Sequence, residues 1–299
     1  MQQIVPVHPL ATEEAPTCPG PLERMVKPSW QVPANACDSH AHVIGDGVAY
    51  PFTPKRSYTA PEATEAQYLA MLGGLGLDRG VLVQPSIHGT DNRLMVDVLK
   101  RHRERLRGVA VCASDVTDAE LAELHEAGVR GLRINVALSG GVGFDAMNAL
   151  AARIGPMGWH LQFLVNPPRL LEAAPSLSKM RIPIVIDHIA AIHHSSGAAH
   201  PAFAALLSLV KEGNTWVKLS AAYRRTADVA GYSDTNEMPQ ALLEAAPDRM
   251  VWGSDWPHAT YFKPMIETGP LLELLGRWAP DEKVRHKVLV ENPAVLYGF

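Results

Sequence analysis

From residue 34 onward the chain alternates short apolar runs with longer stretches whose apolar positions recur every three or four residues. That is the pattern of strands followed by amphipathic helices. Strands are predicted over 36–43, 80–84, 108–113, 131–136, 159–165, 184–188, 216–220 and 250–254. Helices are predicted between them over 63–77, 92–103, 118–127, 144–157, 169–180, 202–211 and 238–246, with a further pair over 265–278 and 281–290. One boundary carries its own mechanism: Thr117-Asp118-Ala119-Glu120 reads as a capping box ahead of Leu121 and Leu124, and Gly128 closes that helix.

Eight strand–helix units in roughly 260 residues, with no linker between them, match a single α/β domain of the (β/α)8 TIM-barrel type. A doubly wound open sheet is the competing architecture, but the loop after the first strand has neither G-x-G-x-x-G nor a P-loop. The expected organisation is an extended N-terminal arm over 1–33, containing seven prolines, and one barrel over 34–299. Such an arm could wrap the domain, cover a partner subunit in a homo-oligomer, or stay disordered.

The barrel makes a demand on the polar residues, because barrel enzymes carry their chemistry at the C-terminal ends of the strands. Asp38-Ser39-His40-Ala41-His42 ends the first strand, and on a regular strand Asp38, His40 and His42 share one face. His188 ends strand six and Asp255 ends strand eight. Together they form a cluster able to hold a metal or polarise a carbonyl. His160 stands at the entry of strand five, on the stability side of the barrel, and reads as structural.

Composition mainly excludes. A net charge of −4 with no long run of like charges offers no footprint for nucleic acid or an anionic membrane surface. Three cysteines without a C-x-x-C pair argue against a disulfide framework and fit a cytoplasmic location. No apolar run has the length of a signal-peptide core or a membrane helix. The expected partner is therefore a small molecule.

These residues resemble the amidohydrolase superfamily, and within it the branch of pyrone-dicarboxylate and muconolactone lactonases. The resemblance is carried by Asp38-x-His40-x-His42, by 84–92 (QPSIHGTDN), by 131–135 (GLRIN), by Asp187-His188, by 252–258 (WGSDWPH) and by Glu291-Asn292-Pro293. It implies a hydrolase in which Asp255 takes a proton from the water that attacks a lactone carbonyl. His40, His42 and His188 then either donate hydrogen bonds to the developing oxyanion, without metal, or bind one divalent ion, zinc first, together with Asp255. Strand four offers Arg133 and Asn135 where a binuclear site commonly has a bridging lysine, so one metal or none is expected.

An anionic lactone is the expected substrate, gripped by arginine near the mouth. Arg133 leads, since a strand interior is a costly place for an unneeded charge. Arg224, beside Arg225 after strand seven, follows, with Tyr223, Asn135, Ser86 and His88 completing the pocket. The loop over 136–143 lacks an arginine that the pyrone-dicarboxylate enzyme carries, and its strand-five tyrosine aligns with Leu164. That favours a muconolactone from aromatic catabolism, sulfonated forms included, over the pyrone dicarboxylate; a sugar-acid lactone is a further option. A metal-dependent decarboxylase or a lactone isomerase are the alternative activities.

Overall fold

The computed structural model describes residues 15–138 and 142–299. The first part of the expected arm and residues 139–141 of the loop after strand four lie outside the described residues. Eight parallel strands run in sequence order: β1 (Cys37–Ala41), β2 (Arg79–Val83), β3 (Leu106–Ala110), β4 (Val129–Asn135), β5 (His160–Leu164), β6 (Ile184–Ile186), β7 (Thr215–Leu219) and β8 (Met250–Trp252). Each predicted strand is present. Between them stand α1 (Glu65–Leu75), α2 (Arg93–Arg101), α3 (Asp118–Ala127), α4 (Met147–Ile154), α5 (Pro167–Leu177), α6 (Pro201–Lys211), α7 (Ala222–Arg225) and α8 (Glu237–Ala245). After β8 come α9 (Gly269–Trp278), α10 (Glu282–His286) and α11 (Asn292–Tyr297). The molecule is a (β/α)8 barrel. Among the described residues no helix is long and apolar enough to cross a membrane.

Local chemistry explains the boundaries. The Thr117 hydroxyl accepts from Glu120 N while the Glu120 carboxylate accepts from Thr117 N, and Gly128 leaves α3 at φ +108°, so the predicted capping box stands as read. The helix predicted over 281–290 is present and its helical path runs on to Tyr297. A π-turn over Lys287–Glu291 separates α10 from α11, and Asn292 there donates to Pro247 O and Met250 O, tying the last helix under β8.

The described arm is extended chain docked on the barrel. Cys18 N donates to Thr59 O, and both Ser29 N and Ser29 Oγ donate to the Glu273 carboxylate of α9. Gly269 at the start of α9 lets the arm lie flat, because a Cβ there would meet Val26 O at 1.8 Å.

The seam between the first and last strands positions the site, and one carboxylate closes it. The register of β1 on β2 slips between Asp38 and Ala41, a bulge that sends Asp38 outward to the helix layer and His40 into the barrel. The expectation that Asp38, His40 and His42 share one face is thereby corrected: an extra residue in the strand breaks the two-residue period. Asp38 Oδ1 accepts from Ser254 N (2.8 Å) and His40 N (3.1 Å), and Oδ2 accepts from Ser254 Oγ (2.6 Å) and Tyr68 OH of α1 (3.3 Å). Gly80 makes room for that phenol, since a Cβ there would meet Tyr68 Oη at 2.2 Å. Asp255 N→His40 O and His42 N→Trp256 O, both 2.8 Å, complete the closure.

Asp38→Ala is expected to destabilise the fold by about 3–5 kcal/mol, because it orphans several buried donors. Urea unfolding measures this; a loss within experimental error of zero would refute the staple.

Candidate active site

Four side chains reach the barrel mouth by three different backbone devices. The bulge turns His40 inward, where Gly253 leaves it space: a Cβ on that glycine would lie 2.6 Å from the His40 Cβ. His42 follows immediately after β1. After β6 the chain leaves the sheet early and runs through four left-handed residues, His188 to Ala191, with φ between 51° and 54°. Left-handed backbone costs roughly 1–2 kcal/mol per non-glycine residue, so the turn is held by its surroundings. Asp255 beyond β8 is also left-handed, at φ 60°.

These devices converge on one carboxylate oxygen. Asp255 Oδ1 lies 3.7 Å from His188 Nε2, 3.8 Å from His40 Nε2 and 3.9 Å from His42 Nε2. The other oxygen, Oδ2, accepts from Tyr223 OH at 2.7 Å and Arg224 Nε at 2.9 Å. Burial alone would raise the Asp255 pKa, but the Arg224 guanidinium and the imidazoles hold it well below the ordinary carboxylate value. Asp255 is therefore ionised at neutral pH.

Hydrogen bonds behind the rings assign their tautomers. His42 Nδ1 sits 2.7 Å from Val83 O, which can only accept, so Nδ1 carries the proton and Nε2 presents a lone pair. Burial pushes the His42 pKa down to about 4, which keeps it neutral. His188 Nδ1 faces Ser220 Oγ at 2.7 Å, and that hydroxyl points its own proton towards Lys218 O, so His188 is set the same way. Two lone pairs thus face an anionic oxygen, and the buried His40 Nε2 has no hydrogen-bond partner among the described residues. Such a constellation fits one divalent cation: ligand atoms of His40, His42 and Asp255 all lie within 4.8 Å of one another, with His42 Nδ1 against Val83 O and His40 Nδ1 3.2 Å from Asp187 Oδ1.

A second triplet, His40, Asp187 and His188, also has metal-ligand spacing. Its positive charge is already supplied by protein. Lys218, fully buried on β7, places Nζ 2.7 Å from Gln162 Oε1, 3.2 Å from His40 Nδ1 and 3.6 Å from Asp187 Oδ1. Arg133 Nη2 and Gln162 Nε2 donate to Asp187 Oδ2 at 3.1 and 3.0 Å. Burial would raise the Asp187 pKa, but His40, Lys218 and Arg133 hold it well below the ordinary value.

Above this floor lies a cavity of about 180 Å3. His42, Ser86, Arg133, His188, Arg224 and Asp255, all expected from sequence, line it; His40 and Tyr223 stand behind the lining. Three of the expected substrate residues have polar groups engaged within the protein. His88 does not line the cavity: its ring lies tilted against Phe52 at 5.3 Å and its Nε2 accepts from Gly45 N. Asn135 Oδ1 accepts from Ala137 N and Leu138 N, so it shapes the loop after β4. Arg224 lines the cavity, but its guanidinium is committed to Asp255, Thr260 Oγ1 and Ala259 O. Sequence reasoning missed Lys218 and Gln162. A polar residue inside the apolar runs 215–219 (TWVKL) and 160–164 (HLQFL) is the same signal that singled out Arg133.

A barrel whose mouth gathers an ionised carboxylate, three imidazoles and a small cavity is built as an enzyme. A family model described as Amidohydrolase matches residues 37–299, and the chain belongs to the amidohydrolase family. It is 36% identical over 291 residues to a 4-sulfomuconolactone hydrolase of Rhizobium radiobacter, covering 95% of this chain and 96% of that protein. It is also 36% identical over 282 residues to a 2-pyrone-4,6-dicarboxylate hydrolase of Comamonas testosteroni, covering 91% and 92%. A crystal structure of an Agrobacterium tumefaciens protein matches with a TM-score of 0.80 at 29% identity, covering 91% of this chain and 98% of that one.

Burial lowers the Lys218 pKa to about 8, against about 10.4 in an unfolded chain. Between those values the unfolded state holds a proton that the folded state has released, so stability contributed at this site rises with pH. Lys218→Met removes that dependence. Urea unfolding at about pH 7 and about pH 10 is expected to shift the stability difference in favour of wild type at the higher pH. A difference independent of pH would contradict the placement of Lys218.

Proposed function

We propose that this protein hydrolyses anionic lactones of the muconolactone type, sulfonated ones included, with Asp255 as general base and one zinc ion as its metal. The observation that carries this reading is the meeting of three imidazole Nε2 atoms within 3.9 Å of one oxygen of an ionised aspartate, on the floor of a cavity sized for a small ring. The relatives named for sulfomuconolactone and pyrone-dicarboxylate hydrolysis support the substrate class.

His42, His188, Asp255 and His40 would hold the ion; bound there, it polarises a carbonyl and lowers the pKa of water. The chain's own residues do the rest. Tyr223 and Arg224 fix Asp255 through Oδ2, leaving Oδ1 turned towards the cluster. Water adds to the lactone carbonyl carbon and passes a proton to Asp255 Oδ1. The ring C–O bond then breaks, and Asp255 returns the proton to the departing ring oxygen, giving the open hydroxy acid. Leu138, Leu164 and Val165 form the apolar wall against which the ring packs.

Asp255→Asn is expected to lower kcat for lactone opening by about 10² to 10⁴ while circular dichroism stays native; near wild-type turnover would overturn the assignment. Dialysis against a chelator is expected to abolish activity, and stoichiometric zinc to restore it, with elemental analysis reading one ion per chain. Full activity in metal-free protein would remove the metal from the reading and leave the imidazoles to bind the carbonyl directly.

A further inference from the structure

Three guanidinium groups face the cavity, and they are not equivalent. Arg133 is ion-paired with Asp187 and reaches Gln84 O at 3.5 Å with its other terminal nitrogen, although its Nε is buried without an acceptor. Arg224 is ion-paired with Asp255, and all three of its nitrogens have acceptors. Arg225, the next residue along α7, makes no hydrogen bond or ion pair among the described residues, and its Nε is buried without an acceptor. Burial, and after it the like charge of neighbouring Arg224, lowers its pKa. An uncompensated cation beside another cation in a partly enclosed site is costly, and a bound anion relieves that cost.

We propose that Arg225 takes the acidic group of the substrate, a carboxylate or sulfonate carried on an arm of the lactone, and so sets the enzyme's preference for charged over neutral lactones. The inference rests on the lactone-hydrolase reading for its substrate and on the unpaired guanidinium for its residue. Arg224 and Arg225 are adjacent, so the group that orients Asp255 and the group that holds the substrate's charge move as one short helical turn. A ring tethered at Arg225 lies against Leu138, Leu164 and Val165, within the same cavity as Asp255. Arg133, expected from sequence as the main anchor, lines the same cavity but has its charge already paired with Asp187.

The test compares wild type with Arg225→Met and Arg225→Lys on muconolactone, an unsaturated five-membered lactone with a carboxymethyl arm, and on its methyl ester. For the Met variant the ratio of kcat/KM for the acid over the ester is expected to fall about tenfold to a hundredfold, mostly through KM. The Lys variant is expected to retain part of the preference, which also guards against a fold defect. An unchanged ratio overturns the proposal. Calorimetric titration with benzoate and benzenesulfonate provides the second readout and separates the two anion chemistries: wild type is expected to bind at least one of them more tightly than the Met variant. Equal binding overturns the role of Arg225. Arg225-dependent binding in a wild-type protein that opens neither lactone supports the anion site and rejects the hydrolase reading alone.

Discussion

The site depends on the barrel seam, and the seam depends on the Asp38 carboxylate. Ser254 is 216 residues further along the chain, yet Asp38 accepts from both its backbone nitrogen and its hydroxyl. Burial pushes the Asp38 pKa up to about 6, and donors from Ser254, His40 and Tyr68 offset that cost. Because the same aspartate also accepts from His40 N, one group fixes the bulge that turns His40 inward and the loop that presents Asp255. Catalytic residues from opposite ends of the sequence are thus aligned by a group that touches neither the cavity nor substrate.

Beneath the mouth, buried charges are arranged in local compensation. Asp187 is answered by Lys218 and Arg133, and Asp255 by Arg224. Pairing of this kind adds little net stability, since desolvation offsets the attraction, but leaving either partner alone would be severe. Its value is geometric: each ring and carboxylate has its orientation set from behind. What stays uncompensated is correspondingly informative. The lone pairs of His42 and His188 face a carboxylate and favour a cation, whereas Arg225 faces the open cavity and favours an anion.

The eight strands were legible because each is a short apolar run closed by turn chemistry, and α3 because its cap is written in side chains. His42, His188 and Asp255 were legible as strand-end residues under the barrel rule. The bulge in β1 was not, since a slip in register leaves no mark on a pattern of alternating positions. Nor were the roles of the arginines: the charge of a guanidinium is visible in sequence, but which carboxylate neutralises it is decided by residues far away along the chain. His88 follows β2 and Asn135 ends β4, but each accepts from local backbone N–H groups, a matter of rotamer rather than of pattern.

β6 and β8 are each only three residues long, so His188 and Asp255 ride on loops, whereas His40 lies within a strand. The site is consequently half scaffold and half superstructure. Changes to the scaffold half alter the closure of the barrel and are felt by the whole fold. Changes in the loops after β6, β7 and β8 redraw the cavity walls while the sheet beneath stays shut. A barrel divided in this way can drift from one acidic lactone to another by loop substitutions alone, keeping its chemistry while its clientele changes.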